Sequence, residues 1–134
     1  MILVTSSAYI GHEFRAEFGA LPPCMLPIGN RRLYQHQFDN LAAAFPEEKL
    51  YVSLPDDFSV PEADQAWLDS AAAEIVRVPD GLTLAEAVLY VINSIGKYDD
   101  TLRILHGDTL IMDMPAALDV VTIAETYSDY NWEV

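Results

Sequence analysis

The sequence predicts an α/β domain with a mainly parallel sheet and helices on its faces. Three observations carry that expectation. Short apolar runs rich in β-branched residues recur along the chain, segments with helical spacing lie between them, and Gly, Pro and Asp punctuate the junctions. Strands separated by helices cannot pair through hairpins, so they are expected to run parallel, joined by crossovers.

Ile2 to Thr5 is the first apolar run. Residues 6–30 follow as a long, irregular connection, well beyond the usual βα length of about 2–6 residues, and long ordered loops at such a place often bind something. Tyr34, Phe38, Leu41 and Phe45 then recur at helical spacing. Leu50 to Leu54 is the second strand, and Asp56-Asp57, between Pro55 and Phe58, is expected to be a solvated turn. Residues 61–73 form a weaker helix with Trp67 on its apolar side, and Glu74 to Val78 is the third strand. The next helix is fully signposted: Asp80-Gly81 makes a turn, Thr83 and Glu86 have capping-box spacing, Leu84, Val88, Val91 and Ile95 form the stripe, and Gly96 stands at the C-cap. Leu102 to Leu105 and Val120 to Ile123 complete five expected strands. All eight prolines fall between periodic segments, so residues 1–134 read as one domain.

A hydrophobic content of 51% is ample for a core. The net charge of −14 opposes binding to nucleic acid or to anionic lipid. It also makes a bound nucleotide awkward unless Mg²⁺ or a local basic patch offsets the phosphates. Cys24 is the only cysteine, which rules out an internal disulfide, fits a reducing compartment and leaves no zinc-ligand spacing; between Pro23 and Met25 it reads as a packing residue. With neither a basic leader nor a long apolar run, secretion and membrane insertion are not indicated, and a cytoplasmic location is expected.

The strand at 102–105 runs into His106, Gly107 and Asp108. In open parallel sheets the ligand crevice lies beyond the carboxyl ends of the strands, where a carboxylate can hold a cation or a hydroxyl. Asp108 is therefore the leading candidate ligand, with a simple turn or cap as the alternative. Gly107, having no Cβ, admits a close backbone or a phosphate. His106 reads equally as a substrate contact or as hydrogen-bonded packing, and His12 and His36 have no partner at ligand spacing.

Leu21-Pro22-Pro23 and Leu26-Pro27-Ile28-Gly29, followed by Arg31-Arg32-Leu33 and a helix, resemble the leucine-proline-lysine and leucine-proline-isoleucine-glycine segments of sugar-1-phosphate nucleotidyltransferases. Leu84 to Val88 is similar to a helix of that family, and His106 to Ile111 to its metal-aspartate motif. Asp119 to Ile123 and Tyr130 to Val134 are similar to the strand and segment that follow. The resemblance covers nearly the whole chain in order. It implies a Rossmann-like fold of the nucleotide-diphospho-sugar transferase type, in a shortened form covering the N-terminal portion of the family domain. The implied activity joins a nucleoside triphosphate to a sugar 1-phosphate, releasing pyrophosphate and giving a nucleotide sugar for capsule or other surface polysaccharide. Mg²⁺ would be the cofactor, with Asp108 as its ligand.

Two departures stand against simple activity. The family's glycine-rich, arginine-bearing loop after the first strand is replaced by residues 5–15, with Ser6 and Ser7 as hydroxyl donors, a single Gly11, and Arg15 in place of the usual arginine. The family lysine after leucine-proline is Pro23, leaving Arg31 or Arg32 as substitute cations. The family's second metal-binding aspartate lies beyond the length of this chain, so a fragment of a longer protein is expected; Asp113 reads as a turn or cap. Tyr127, Tyr130 and Trp132 read either as a sugar-stacking surface or as core. The alternatives to an enzyme domain are a non-catalytic relative serving as a nucleotide- or sugar-binding module or as a homo-oligomerisation module, and, last, a glycosyltransferase of related fold. That last class expects a second acid where Leu110 stands.

Overall fold

The computed structural model describes residues 1–123 and 125. Its centre is a four-stranded sheet of β1 (Ile2–Thr5), β4 (Leu50–Pro55), β5 (Glu74–Val78) and β6 (Arg103–His106), in the order β5-β4-β1-β6. Every pairing is parallel, with Val4 opposite both Val52 and Leu105. A separate two-residue hairpin joins β2 (Pro27–Ile28) to β3 (Arg31–Arg32). The helices are α1 (His12–Phe18), α2 (Leu33–Ala44), α3 (Glu62–Ser70) and α4 (Leu84–Ile95).

Alternation along the strands splits the core into two layers. Ile2, Val4, Leu50, Val52, Leu54 and Leu105 point to the face covered by α2 and α3, where Tyr34, Phe38, Leu41 and Leu68 meet them. Leu3 and Tyr51 point the other way, against Ala87 and Val91 of α4. The result is a small α/β protein with a parallel sheet flanked by helices, compatible with a Rossmann-like fold. No described helix is long and apolar enough to cross a membrane.

The signals at α4 operate as read. Thr83 Oγ1 accepts from the Glu86 amide at 3.4 Å while a Glu86 carboxylate oxygen accepts from the Thr83 amide at 2.8 Å, and Gly96 closes the helix in the left-handed region at φ 72°. Two expectations need correction. The connection at 6–30 contains α1, a short 3₁₀ turn at Pro23–Met25 and β2, the first strand of the hairpin. Helix α1 is seven residues long and buries none of them, and Phe14 and Phe18, four apart, are too short a pattern to mark a helix. The second correction concerns residues 120–123, which are irregular rather than a strand, with Val121 90% and Ile123 92% exposed. Their β-branched run has strand propensity but no ladder partner among the described residues, and propensity alone does not make a strand. Beside them, the face of β6 and α4 opens on an apolar groove of about 1030 Å³ lined by residues such as Leu84, Val88, Leu89 and Ile104. Tyr127, Tyr130 and Trp132 lie outside the described residues.

At the amino ends of β1 and β6, Glu48 joins three segments. Its carboxylate accepts from Arg103 Nε at 2.9 Å and faces the Met1 amine at 3.2 Å, while the Arg103 guanidinium lies 4.0 Å from the centroid of the Phe45 ring. Burial alone would raise the Glu48 pKa, but the hydrogen bonds and charges of Arg103 and the amine together outweigh it, and the net shift is downward from 4.5. A depressed folded pKa contributes stability that is complete above the unfolded value and fades as pH falls through the folded one. Glu48→Gln is therefore expected to lower stability by on the order of 1 kcal/mol at neutral pH. The difference from wild type should shrink below about pH 4, as measured by urea unfolding across that range.

Candidate functional site

With β1 central, the chain builds outward to β4 and β5 on one side and returns to place β6 on the other. The strand order therefore reverses between β1 and β6, and the crevice at their carboxyl ends is where open parallel sheets bind ligands. Thr5 is in register with His106 across this point. Ser6 and Ser7 leave one strand there, and Gly107 and Asp108 leave the other.

The crossing is very close. The Gly107 amide donates to the Thr5 carbonyl at 2.7 Å. A Cβ at Gly107 would stand 2.7 Å from Ser6 Cβ, Ser6 Oγ and the Thr5 carbonyl oxygen. Of the two reasons for a glycine considered from sequence, the close neighbour here is backbone and a serine side chain. Ser6 is buried; its amide donates to the carbonyl and hydroxyl of Ser53, and its own hydroxyl oxygen accepts from the Cys24 amide at 3.0 Å. It ties β1, β4 and the leucine-proline loop together from beneath the crevice. Ser7 is half-buried, while His106 and Asp108 are exposed.

Asp108 sits on a tight turn. The Thr109 amide donates to the His106 carbonyl at 3.1 Å, and the Thr109 hydroxyl donates to Asp108 Oδ1 at 2.9 Å. Beneath this turn lies Gln37 of α2, completely buried. Its Nε2 faces the carbonyls of His106 at 3.1 Å, Gly107 at 3.3 Å and Thr109 at 2.7 Å. Asn40, one helical turn on, donates to the Ile111 carbonyl at 3.0 Å. Sequence reading passed over both amides. A signal existed, because position 37 lies between Tyr34 and Leu41 on the apolar stripe, and an amide there needs buried partners.

The leucine-proline loop packs onto the same helix. Cys24 is fully buried, and burial first of all pushes its thiol up to about 12, so it has the inert character of a packing residue. Tyr34 donates to Asp64 at 2.8 Å, with Arg32 Nε 3.5 Å from the same oxygen, and Arg32 also donates to the Met25 carbonyl at 2.9 Å. Burial followed by the Asp64 carboxylate raises the Tyr34 pKa.

The candidate cations divide sharply. Arg31 is held by Asp39 at 2.7 Å, Arg32 by Asp64, Lys49 by Glu74, Lys97 by Asp100 and Arg103 by Glu48. Arg77 donates to the carbonyls of Pro55 and Phe58. Among the described residues this leaves Arg15 as the one arginine or lysine with neither a carboxylate nor a carbonyl partner. It is exposed on α1, with its guanidinium 5.7 Å from the Tyr9 ring centroid. Gly11 is the N-cap of α1, in extended conformation. Tyr9 donates to Asp57 at 2.7 Å, and partial burial followed by that carboxylate raises its pKa to about 12.

The described residues contain no cluster of three His, Cys, Asp or Glu side chains able to hold a metal ion by themselves. A single exposed carboxylate at the crevice does fit Mg²⁺, which commonly takes one or two carboxylates and completes its shell with water and substrate phosphates. The geometry defines a switch-point crevice of the α/β class with the exposed carboxylate of Asp108 just beyond β6, while Arg15 lies on α1 against the Tyr9 ring. No family model, curated protein or solved structure matches the chain.

Proposed function

We propose that the chain is a sugar-phosphate nucleotidyltransferase-like domain that makes or binds a nucleotide sugar in surface polysaccharide synthesis. The observation that carries this reading is Asp108 at the switch point, on a turn fastened to the end of β1 by the Gly107 amide. Arg15 supports it, because an arginine already committed to a carboxylate would have to give up that partner before engaging a phosphate. Asp108 would hold Mg²⁺, whose chemistry is to neutralise charge on the phosphate oxygens during attack at phosphorus. Arg15 would engage the same anionic chain, and His106, Ser7 and the Gly11 backbone would border it. Ser6 and Gly107 would act by setting the spacing of the two strand ends, and Arg31, bound to Asp39, would serve the hairpin.

The groove beside β6 is lined mainly by apolar side chains, which do not replace phosphate hydration, with Thr101, Arg103 and His106 among its polar ones. A non-catalytic binding module is the second reading, and the observation favouring it is the single glycine between Thr5 and Arg15, which offers fewer close backbone amides than a glycine-rich loop.

Calorimetric titration with Mg²⁺ and each of the four nucleoside triphosphates tests the proposal. Wild type is expected to bind at least one. Asp108→Asn and Arg15→Ala should each weaken binding by at least about tenfold, the equivalent of 1.4 kcal/mol, while leaving thermal unfolding nearly unchanged because both side chains are exposed. Absence of binding by wild type would reject the nucleotide reading. Pyrophosphate release on adding a sugar 1-phosphate would decide for the enzyme over the binding module.

A further inference from the structure

We infer that Gln37 is the positioning residue for Asp108, holding its turn from below so that the carboxylate is presented to a cation in a fixed orientation. This rests on the metal reading of Asp108 given above. The carboxamide is entirely enclosed and its two N–H bonds serve three carbonyls, those of His106, Gly107 and Thr109. These residues flank Asp108 on both sides. An apolar side chain at position 37 would take this donor from all three; the His106 carbonyl would keep the Thr109 amide, and the buried bond to Gly107 would be lost at a cost of roughly 1–3 kcal/mol if its carbonyl is left unsatisfied. Structural need alone would be met by any arrangement that paired those carbonyls. Here, however, all three converge on one helical residue, and among the described residues Gln37 Oε1 has no hydrogen-bond partner. The geometry of the turn is thereby referred to α2, whose first turn is anchored by Tyr34 and Arg32 to Asp64.

Groups that orient a ligating carboxylate from behind matter to metal affinity nearly as much as the ligand does, and their loss typically costs about 10–100-fold. Gln37→Met keeps length and volume but removes both donors. The test is an amide-resolved NMR titration of the full chain with Mn²⁺, whose unpaired electrons broaden signals near the bound ion. In wild type the Asp108 and Thr109 amides are expected to broaden first. In Gln37→Met the same broadening should need about 10–100-fold more Mn²⁺, with the rest of the spectrum still dispersed. A residue that served stability alone would lower the melting temperature and leave the Mn²⁺ midpoint where it was, and that result overturns the inference. Wild type showing no broadening at Asp108 overturns the metal reading instead, so the two failures are distinct. A second measurement needs no variant: on titration with Mg²⁺, the Gln37 side-chain amide signal in wild type should shift with the same midpoint as the Asp108 amide. A stationary Gln37 signal beside a shifting Asp108 signal overturns the coupling even if Gln37→Met does not fold.

Discussion

Gly107→Ala is expected to destabilise the protein by about 3 kcal/mol, at the upper end of overpacking costs, and to lower its melting temperature by roughly 10 °C. The new methyl carbon would lie 2.7 Å from three atoms, one of them the Thr5 carbonyl oxygen that accepts the Gly107 amide. Backbone oxygen in a central parallel strand cannot move aside without disturbing the ladder that joins Thr5 to both Ser53 and His106. Relief must therefore come from β6, an outer strand of the described sheet, moving outward. Separation of β1 from β6 would widen the crevice and displace Asp108, so nucleotide or Mn²⁺ binding should weaken together with stability. Thermal unfolding monitored by circular dichroism gives the first effect, and the titrations described above give the second. An alanine variant as stable as wild type would mean that the two strand ends are not in this contact.

Phe38→Ala is expected to cost about 3–5 kcal/mol. Phe38 is 1% exposed and packs in a three-ring cluster, 6.1 Å from Tyr34 and 6.2 Å from Trp67, with Tyr34 and Trp67 themselves 5.3 Å apart. Removing this ring leaves a cavity between α2, α3 and the sheet. Neighbouring rings can fill it only by leaving their edge-to-face geometry, which is worth about 0.5–1.5 kcal/mol for each pair. Chemical denaturation should show a lower midpoint with an unchanged slope, because the defect lies in the folded state. Tryptophan fluorescence, to which Trp67 contributes from within the cluster, reads the same transition once Trp132 is replaced by Phe. A loss below about 1 kcal/mol would show that α2 is not seated on this face as described.

The sheet was legible because each inner strand is covered on both faces, so it had to be a continuous apolar run, and such runs punctuate the sequence at β1 and β4. Helix α4 was legible for a different reason: its caps are local chemistry, readable over a few residues without knowledge of the fold. The same local reasoning failed at 120–123, where Val120 to Ile123 have the composition of a strand but a ladder depends on a neighbour distant in sequence. Helix α1 escaped notice because Phe14 and Phe18 stack on one another, 6.5 Å apart, without entering the core. At the site, Asp108 and Gly107 stood out as residue types whose chemistry is visible in isolation. Gln37 did not, since its importance lies in three carbonyls some seventy positions away, and no spacing rule connects them. Arg15 was singled out by position after the first strand. What distinguishes it from Arg31 is the placement of Asp39 in the second turn of α2, a matter of side-chain geometry.

Burial of the single thiol gives this molecule a built-in clock for the opening of its leucine-proline loop. Cys24 is sealed beneath Ser6 and α2, and its amide is held by the Ser6 hydroxyl. An alkylating reagent can reach it only when that loop lifts from the helix, and the thiol must also ionise in the opened form. With no other cysteine to compete, the labelling rate at increasing reagent concentration would separate the opening rate from the chemical step. The same trace recorded with and without a nucleotide would report how firmly a ligand in the crevice clamps a segment it does not need to touch.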